Sequence, residues 1–154
     1  MRKWKALVIA MPLLLSLSSG CASFNPRPLE EVGFEQRAQS KTDGGVTVSV
    51  VALSEDEASA ATGVHLARRG IQPVWIKIEN HESVAYVIPP LVIDHEYFSP
   101  TESAWQVHGL LTGATNARID EHFAELRLPL WVRPGETVSG FVFTNLDQGA
   151  SMSA

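Results

Sequence analysis

Cysteine is nearly absent, with one residue, Cys21, in a chain of 154. A single thiol excludes an internal disulfide framework and a cysteine-rich zinc module. Cations are also scarce, 12 Lys and Arg against 17 Asp and Glu. Three of the twelve (Arg2, Lys3 and Lys5) stand in the first five positions; with residues 1–20 set aside, nine basic residues face seventeen acidic ones, a net charge of −8. A body this acidic, with no basic stripe, repels phosphate backbones, so no nucleic-acid partner is expected. Long apolar runs are missing as well: the stretch 6–17 is interrupted by Pro12 and is too short for a permanent membrane span. There is no glycine-rich phosphate loop, no Gly-x-Ser-x-Gly elbow and no internal repeat.

What is present begins at the N-terminus. MRKWKALVIAMPLLLSLSSGCAS has a basic segment, a short apolar segment and then small residues, the layout of a secretory signal peptide. Cys21 directly follows Ser18-Ser19-Gly20, with Leu17 one step further out. This resembles the lipobox of bacterial lipoproteins, which implies acylation of the Cys21 thiol, cleavage between Gly20 and Cys21, and acylation of the new amino group. An exported lone thiol would be reactive, and acylation removes that reactivity. Several acyl chains, at about 0.8 kcal/mol per buried methylene, hold a protein far more firmly than one. Ala22 and Ser23 follow, with no Asp next to the cysteine. By resemblance to sorted lipoproteins, that implies the outer membrane, facing the periplasm.

Residues 21–45 are polar and broken by NPRP and QSKTDGG, which predicts a lipidated cysteine and a tether of limited order, with Leu29 and Phe34 able to dock. The domain is expected over 46–146 and a flexible tail over 147–154. VTVSVVAL at 46–53 alternates with period two, a half-buried strand. Ser54 and Glu57 form a capping-box pattern for a short helix closed by Gly63. IQPVWIKIEN at 71–80 alternates again, placing Val74, Ile76 and Ile78 on one face and Trp75 on the other. VAYVIPPLVID at 84–94 is expected to be its hairpin partner, bent at Pro89-Pro90. Ser99-Pro100-Thr101-Glu102 starts a second capped helix, and Ile119, Phe123 and Leu126 have the spacing of a third. LRLPLWV at 126–132 and TVSGFVFTN at 137–145 read as strands around a type II turn, Arg133-Pro134-Gly135-Glu136. Together these predict a mainly β fold, an antiparallel immunoglobulin-like β-sandwich with short helical inserts; the alternative is a small α+β sheet.

RAQSKTDGGVTVSV at 37–50, LARRGIQPVWIKIEN at 66–80, DHEYFSPTESAW at 94–105 and RPGETVSGFVFTN at 133–145 together resemble an uncharacterised family of bacterial envelope lipoproteins, some with a module of this kind near an LssY-type domain. The resemblance covers most of the mature chain. It implies no reaction, substrate or catalytic residue, and in longer relatives it implies chain beyond the FVFTN strand.

Five histidines are the metal candidates. Only Asp94-His95-Glu96 and Asp120-Glu121-His122 join histidine to carboxylates, and neighbours in sequence point apart. His95 and His122 are therefore weak ligand candidates, and no cofactor is expected. Among Trp75, Trp105 and Trp131, Trp75 is the strongest candidate for an interaction surface, because it faces away from the valine and isoleucine positions. The function expected is a non-enzymatic interaction or assembly module, anchored to the envelope membrane by its N-terminal lipid and engaging an envelope protein. A periplasmic metal or small-ligand binder is the alternative, and a hydrolase comes third.

Overall fold

The computed structural model describes residues 24–93, 96–109 and 113–146. Four strands form one antiparallel sheet in the order β1-β2-β3-β6: β1 Gln39–Asp43, β2 Val46–Ala52, β3 Ile71–Asn80 and β6 Thr137–Asn145. A separate two-stranded ribbon pairs β4 Tyr86–Val87 with β5 Trp131–Val132. The helices are α1 Leu29–Val32, α2 Glu55–Thr62, α3 Pro90–Ile93, α4 Pro100–Val107 and α5 Gly113–Glu125, with 3-10 turns at Phe34–Arg37 and Leu66–Arg69.

Period-two alternation sorts the sheet into two apolar faces. Val51, Leu53, Ile71, Trp75, Phe141 and Phe143 belong to one core cluster, the aromatic face, with Ala58 and Ala61 of α2, Ala104 of α4, and Ile119 and Phe123 of α5. Ile119 and Phe123, four apart, share one side of α5, the spacing an amphipathic helix requires. Phe123 stacks on Phe143 with centroids 5.3 Å apart, and Phe34 meets Trp75 and Phe141 edge-on at 5.6 and 5.8 Å. The opposite, aliphatic face holds Val74, Ile76, Ile78, Val138 and Val142, covered by Leu128 and Val132.

Local rules place the helices. Ser54 Oγ accepts from the Glu57 amide at 3.3 Å while Glu57 accepts from the Ser54 amide at 2.8 Å, and Ser99 and Glu102 repeat the exchange at 3.1 and 2.8 Å. The turn at Arg133 closes through a 3.1 Å bond from the Glu136 amide to the Arg133 carbonyl, with Gly135 at φ +72° as a type II turn demands. Gly140 has a different reason to be glycine. A Cβ there would lie 2.5 Å from the Leu128 backbone, so the segment covering the aliphatic face can lie this close to β6 because residue 140 has no side chain.

Three expectations are corrected. Residues 24–45 are not a loose tether: Phe24 and Phe34 are buried in the aromatic core, and Gln39–Asp43 is a strand of the sheet. The polar composition misled because all five residues of β1 are exposed and, among the described residues, β1 pairs only with β2. The segment after β3 is not its hairpin partner. Neighbours β2 and β6 already occupy both edges of β3, so Tyr86–Val87 pairs with Trp131–Val132, and the strand expected over 126–132 shrinks to those two residues. Buried Asn80 directs that departure, donating to the carbonyls of Val84 (2.8 Å) and Arg133 (3.1 Å) and accepting from the Glu82 amide (3.0 Å). Trp75 is 4% exposed. The antiparallel sheets expected are present, and helices cover one face of the four-stranded sheet, so the architecture is mixed α+β, the alternative weighed in the sequence.

Candidate interaction surface

The two edges of the four-stranded sheet are finished differently. Along β6, the Phe98 amide donates to the Phe143 carbonyl at 2.8 Å, the Phe141 amide to the Leu126 carbonyl at 2.7 Å, and the Leu128 amide to the Phe141 carbonyl at 3.3 Å. That edge is occupied by the chain's own loops. Beyond β1, no strand pairs among the described residues. Its inner side is firmly held: Ser40 Oγ lies 2.7 Å from Ser49 Oγ, and Thr42 Oγ1 lies 2.9 Å from Thr47 Oγ1.

The hairpin turn fixes which backbone groups β1 offers. Asp43 and Val46 flank the two-residue Gly44-Gly45 turn, with Gly44 at φ +56°. The pair flanking such a turn exchanges hydrogen bonds, and bonded pairs then alternate along the ladder. Gln39, Lys41 and Asp43 therefore turn their amides and carbonyls toward β2, while Ser40 and Thr42 turn theirs outward. The side chains of Lys41 and Asp43 share the aliphatic face with their cross-strand partners Val48 and Val46.

There the cover is incomplete. Val46, Val48 and Val50 are half-buried, and with Lys41, Asp43, Gly44, Glu82 and Tyr86 the first two line an open groove of about 480 Å³. Glu82 fastens its far wall, accepting from the Gly45 amide at 3.0 Å and from the Tyr86 hydroxyl. The Tyr86 hydroxyl, then the Gly45 amide, holds the Glu82 carboxyl below the ordinary glutamate range. The same bond to Glu82, then desolvation and the charges of Glu82 and Asp43, pushes the Tyr86 phenol up. Lys41 has no ion-pair partner among the described residues.

A second exposed patch lies on the ribbon, where Val87 and Trp131 stand directly opposite each other facing outward and Trp131 is 61% exposed. Leu130 and Trp131 join Arg127, Arg133 and Glu136 around a groove of about 360 Å³. Trp105, on α4, is 65% exposed.

The residues singled out in the sequence are not brought together. Gly20, Cys21 and His95 lie outside the described residues. Trp75 is in the core, so it offers no surface. His122 is engaged structurally, its Nε2 2.8 Å from the Ala61 carbonyl and its ring edge-on to Phe24. His108 Nε2 lies 3.0 Å from Asp120 Oδ1 between α4 and α5. Among the described residues, no group of three or more His, Cys, Asp or Glu side chains is placed to hold a metal ion. No described helix is long and apolar enough to cross a membrane. The β1 edge was missed in the sequence, although Gln-Ser-Lys-Thr-Asp, two glycines and Val-Thr-Val-Ser-Val carry a hairpin signal. Comparison with family models, curated proteins and solved structures finds no match to this chain.

Proposed function

We propose that this chain is a bacterial envelope lipoprotein, related to the uncharacterised family it resembles, whose domain is a non-enzymatic interaction module that recruits a partner strand to β1. Residues 1–20 serve as the signal peptide, and acylated Cys21 holds the domain on the outer membrane, facing the periplasm. The observation that carries the interaction reading is one juxtaposition: the outer side of β1, on which no strand pairs among the described residues, adjoins the half-covered row Val46, Val48 and Val50. A strand added there gains backbone hydrogen bonds from Ser40 and Thr42 and apolar contact with the valines, the two components of recognition by strand addition. In the finer reading, the domain is an immunoglobulin-like sandwich whose second sheet has dwindled to the β4–β5 ribbon, leaving room on the aliphatic face.

Two measurements test this. Labelled palmitate is expected on the wild type and not on Cys21→Ala; absence from both would overturn the lipoprotein assignment. Thr42→Pro removes an outward amide without removing one that bonds β2, so the fold is expected to survive. Crosslinking in membranes is expected to lose its product in that variant, and an unchanged product would overturn strand addition.

A further inference from the structure

We infer that the partner at β1 is a second copy of this chain, paired antiparallel about a twofold axis at Thr42. The inference rests on the strand-addition reading and specifies its occupant. Two strands pair through their outward backbone groups, so Ser40 or Thr42 of one copy must bond an outward-facing residue of the other. That leaves few symmetric registers. Centring the pair on Lys41 or on Asp43 sets like charges face to face, and centring it on Ser40 sets Lys41 against Gln39. Centring it on Thr42 sets Lys41 of each copy against Asp43 of the other, twice, because the interface is isologous.

Charge complementarity therefore selects the copy and the register together. A lysine on an edge strand ordinarily deters pairing. Here the deterrent is cancelled by Asp43, two residues on and on the same face, for a strand of this sequence running the opposite way. Asp43 also has reason to accept a cation: it lines the groove with Glu82, and its charge contributes to the raised Tyr86 phenol. A twofold axis perpendicular to the sheet keeps each face continuous. The two valine rows then join in one eight-stranded sheet, β6-β3-β2-β1 against its symmetry mate. Five-residue edges give a weak dimer in solution. Confinement of both copies to one membrane by the proposed anchor supplies the effective concentration that such an interface needs.

The test uses the full-length chain in membranes, where wild type, with Cys21 as its one cysteine, is the control for disulfide formation. In this register the two Thr42 Cα atoms lie about 5.5 Å apart, within disulfide range. The two Ser40 Cα atoms lie about 14 Å apart, four residues out of step at about 3.4 Å each. Mild oxidation of Thr42→Cys is expected to give a product of twice the chain mass, and Ser40→Cys and wild type none. On the Thr42→Cys background, Lys41→Asp or Asp43→Lys is expected to lower the yield about tenfold, and the double exchange to restore it. No product at Thr42, equal products at both positions, or failure of the double exchange to rescue would overturn the inference. If Thr42→Cys stays monomeric while Thr42→Pro still abolishes crosslinking to a different envelope protein, strand addition stands and self-pairing falls.

Discussion

The two faces of the sheet are built from the same alternating strands yet finished to different standards. The aromatic face is closed by three helices and the N-terminal segment, and Phe34, Ile119, Phe123, Phe141 and Phe143 are essentially inaccessible. The aliphatic face is sealed over β3 and β6 by Leu128 and Val132 but not over β2, whose valines remain half-buried beside a strand that has no outer neighbour among the described residues. Stability is thus concentrated on one face, and the other has surface to spare for recognition. Side-chain size accounts for part of this: large aromatic rings span the gap to packed helices, whereas short valines need a backbone pressed close, which Gly140 permits over β6.

Substitutions can break this contrast. The largest effect is expected from Phe123→Ala, which empties the closed face and should cost about 3–5 kcal/mol in denaturant unfolding. Gly140→Ala comes next, because its Cβ displaces the Leu128 backbone; overpacking of this kind costs about 1–3 kcal/mol, and the exposure of Val74 and Val142 should rise in hydrogen exchange. Ser54→Ala, which removes the α2 cap beneath the closed face, should cost about 1 kcal/mol in thermal melts. Val48→Ala, on the half-covered face, should cost less than about 1 kcal/mol, since its methyl groups are only partly withdrawn from water. If Val48→Ala costs as much as Phe123→Ala, the two faces are equally closed and the contrast fails.

A pH experiment sharpens the same comparison. For the Glu57 carboxyl, burial acts upward but is outweighed by hydrogen bonds from the Ser54 amide and hydroxyl and by Arg37, so it titrates below its ordinary range. A carboxyl depressed by folding stabilises the fold above its unfolded pKa, and that stabilisation is lost as the pH falls through the folded value. Glu57→Gln should therefore melt below wild type at neutral pH and converge with it in acid. A constant difference across the titration would show that the Glu57 charge contributes nothing to the cap.

Features governed by near neighbours were legible in the sequence. The capping boxes at Ser54 and Ser99, the Gly135 turn and the facing of Val74, Ile76 and Ile78 away from Trp75 all follow from spacings of two to four residues, and the structure has each of them. The candidate surface was less legible. Alternation places Trp75 opposite the valines but does not say whether that side is wet, and Phe34, forty-one positions earlier, packs against its ring. Likewise, Gln39–Asp43 has a tether's composition because an edge strand and a linker are both bathed in water.

The sequence by itself determined where β2, β3, β6 and the two capped helices begin, which of their side chains share a face, and the acidity of the body, because backbone geometry and local hydrogen bonding set these within a few residues. Tertiary structure alone decided that both faces of β3 are buried, that Asn80 turns the chain away to form the ribbon, and that Gly140 meets Leu128. It also left β1 without an outer neighbour among the described residues. Each of these depends on which distant segment arrives to satisfy a backbone group or cover a side chain, and such choices are settled by competition across the whole fold.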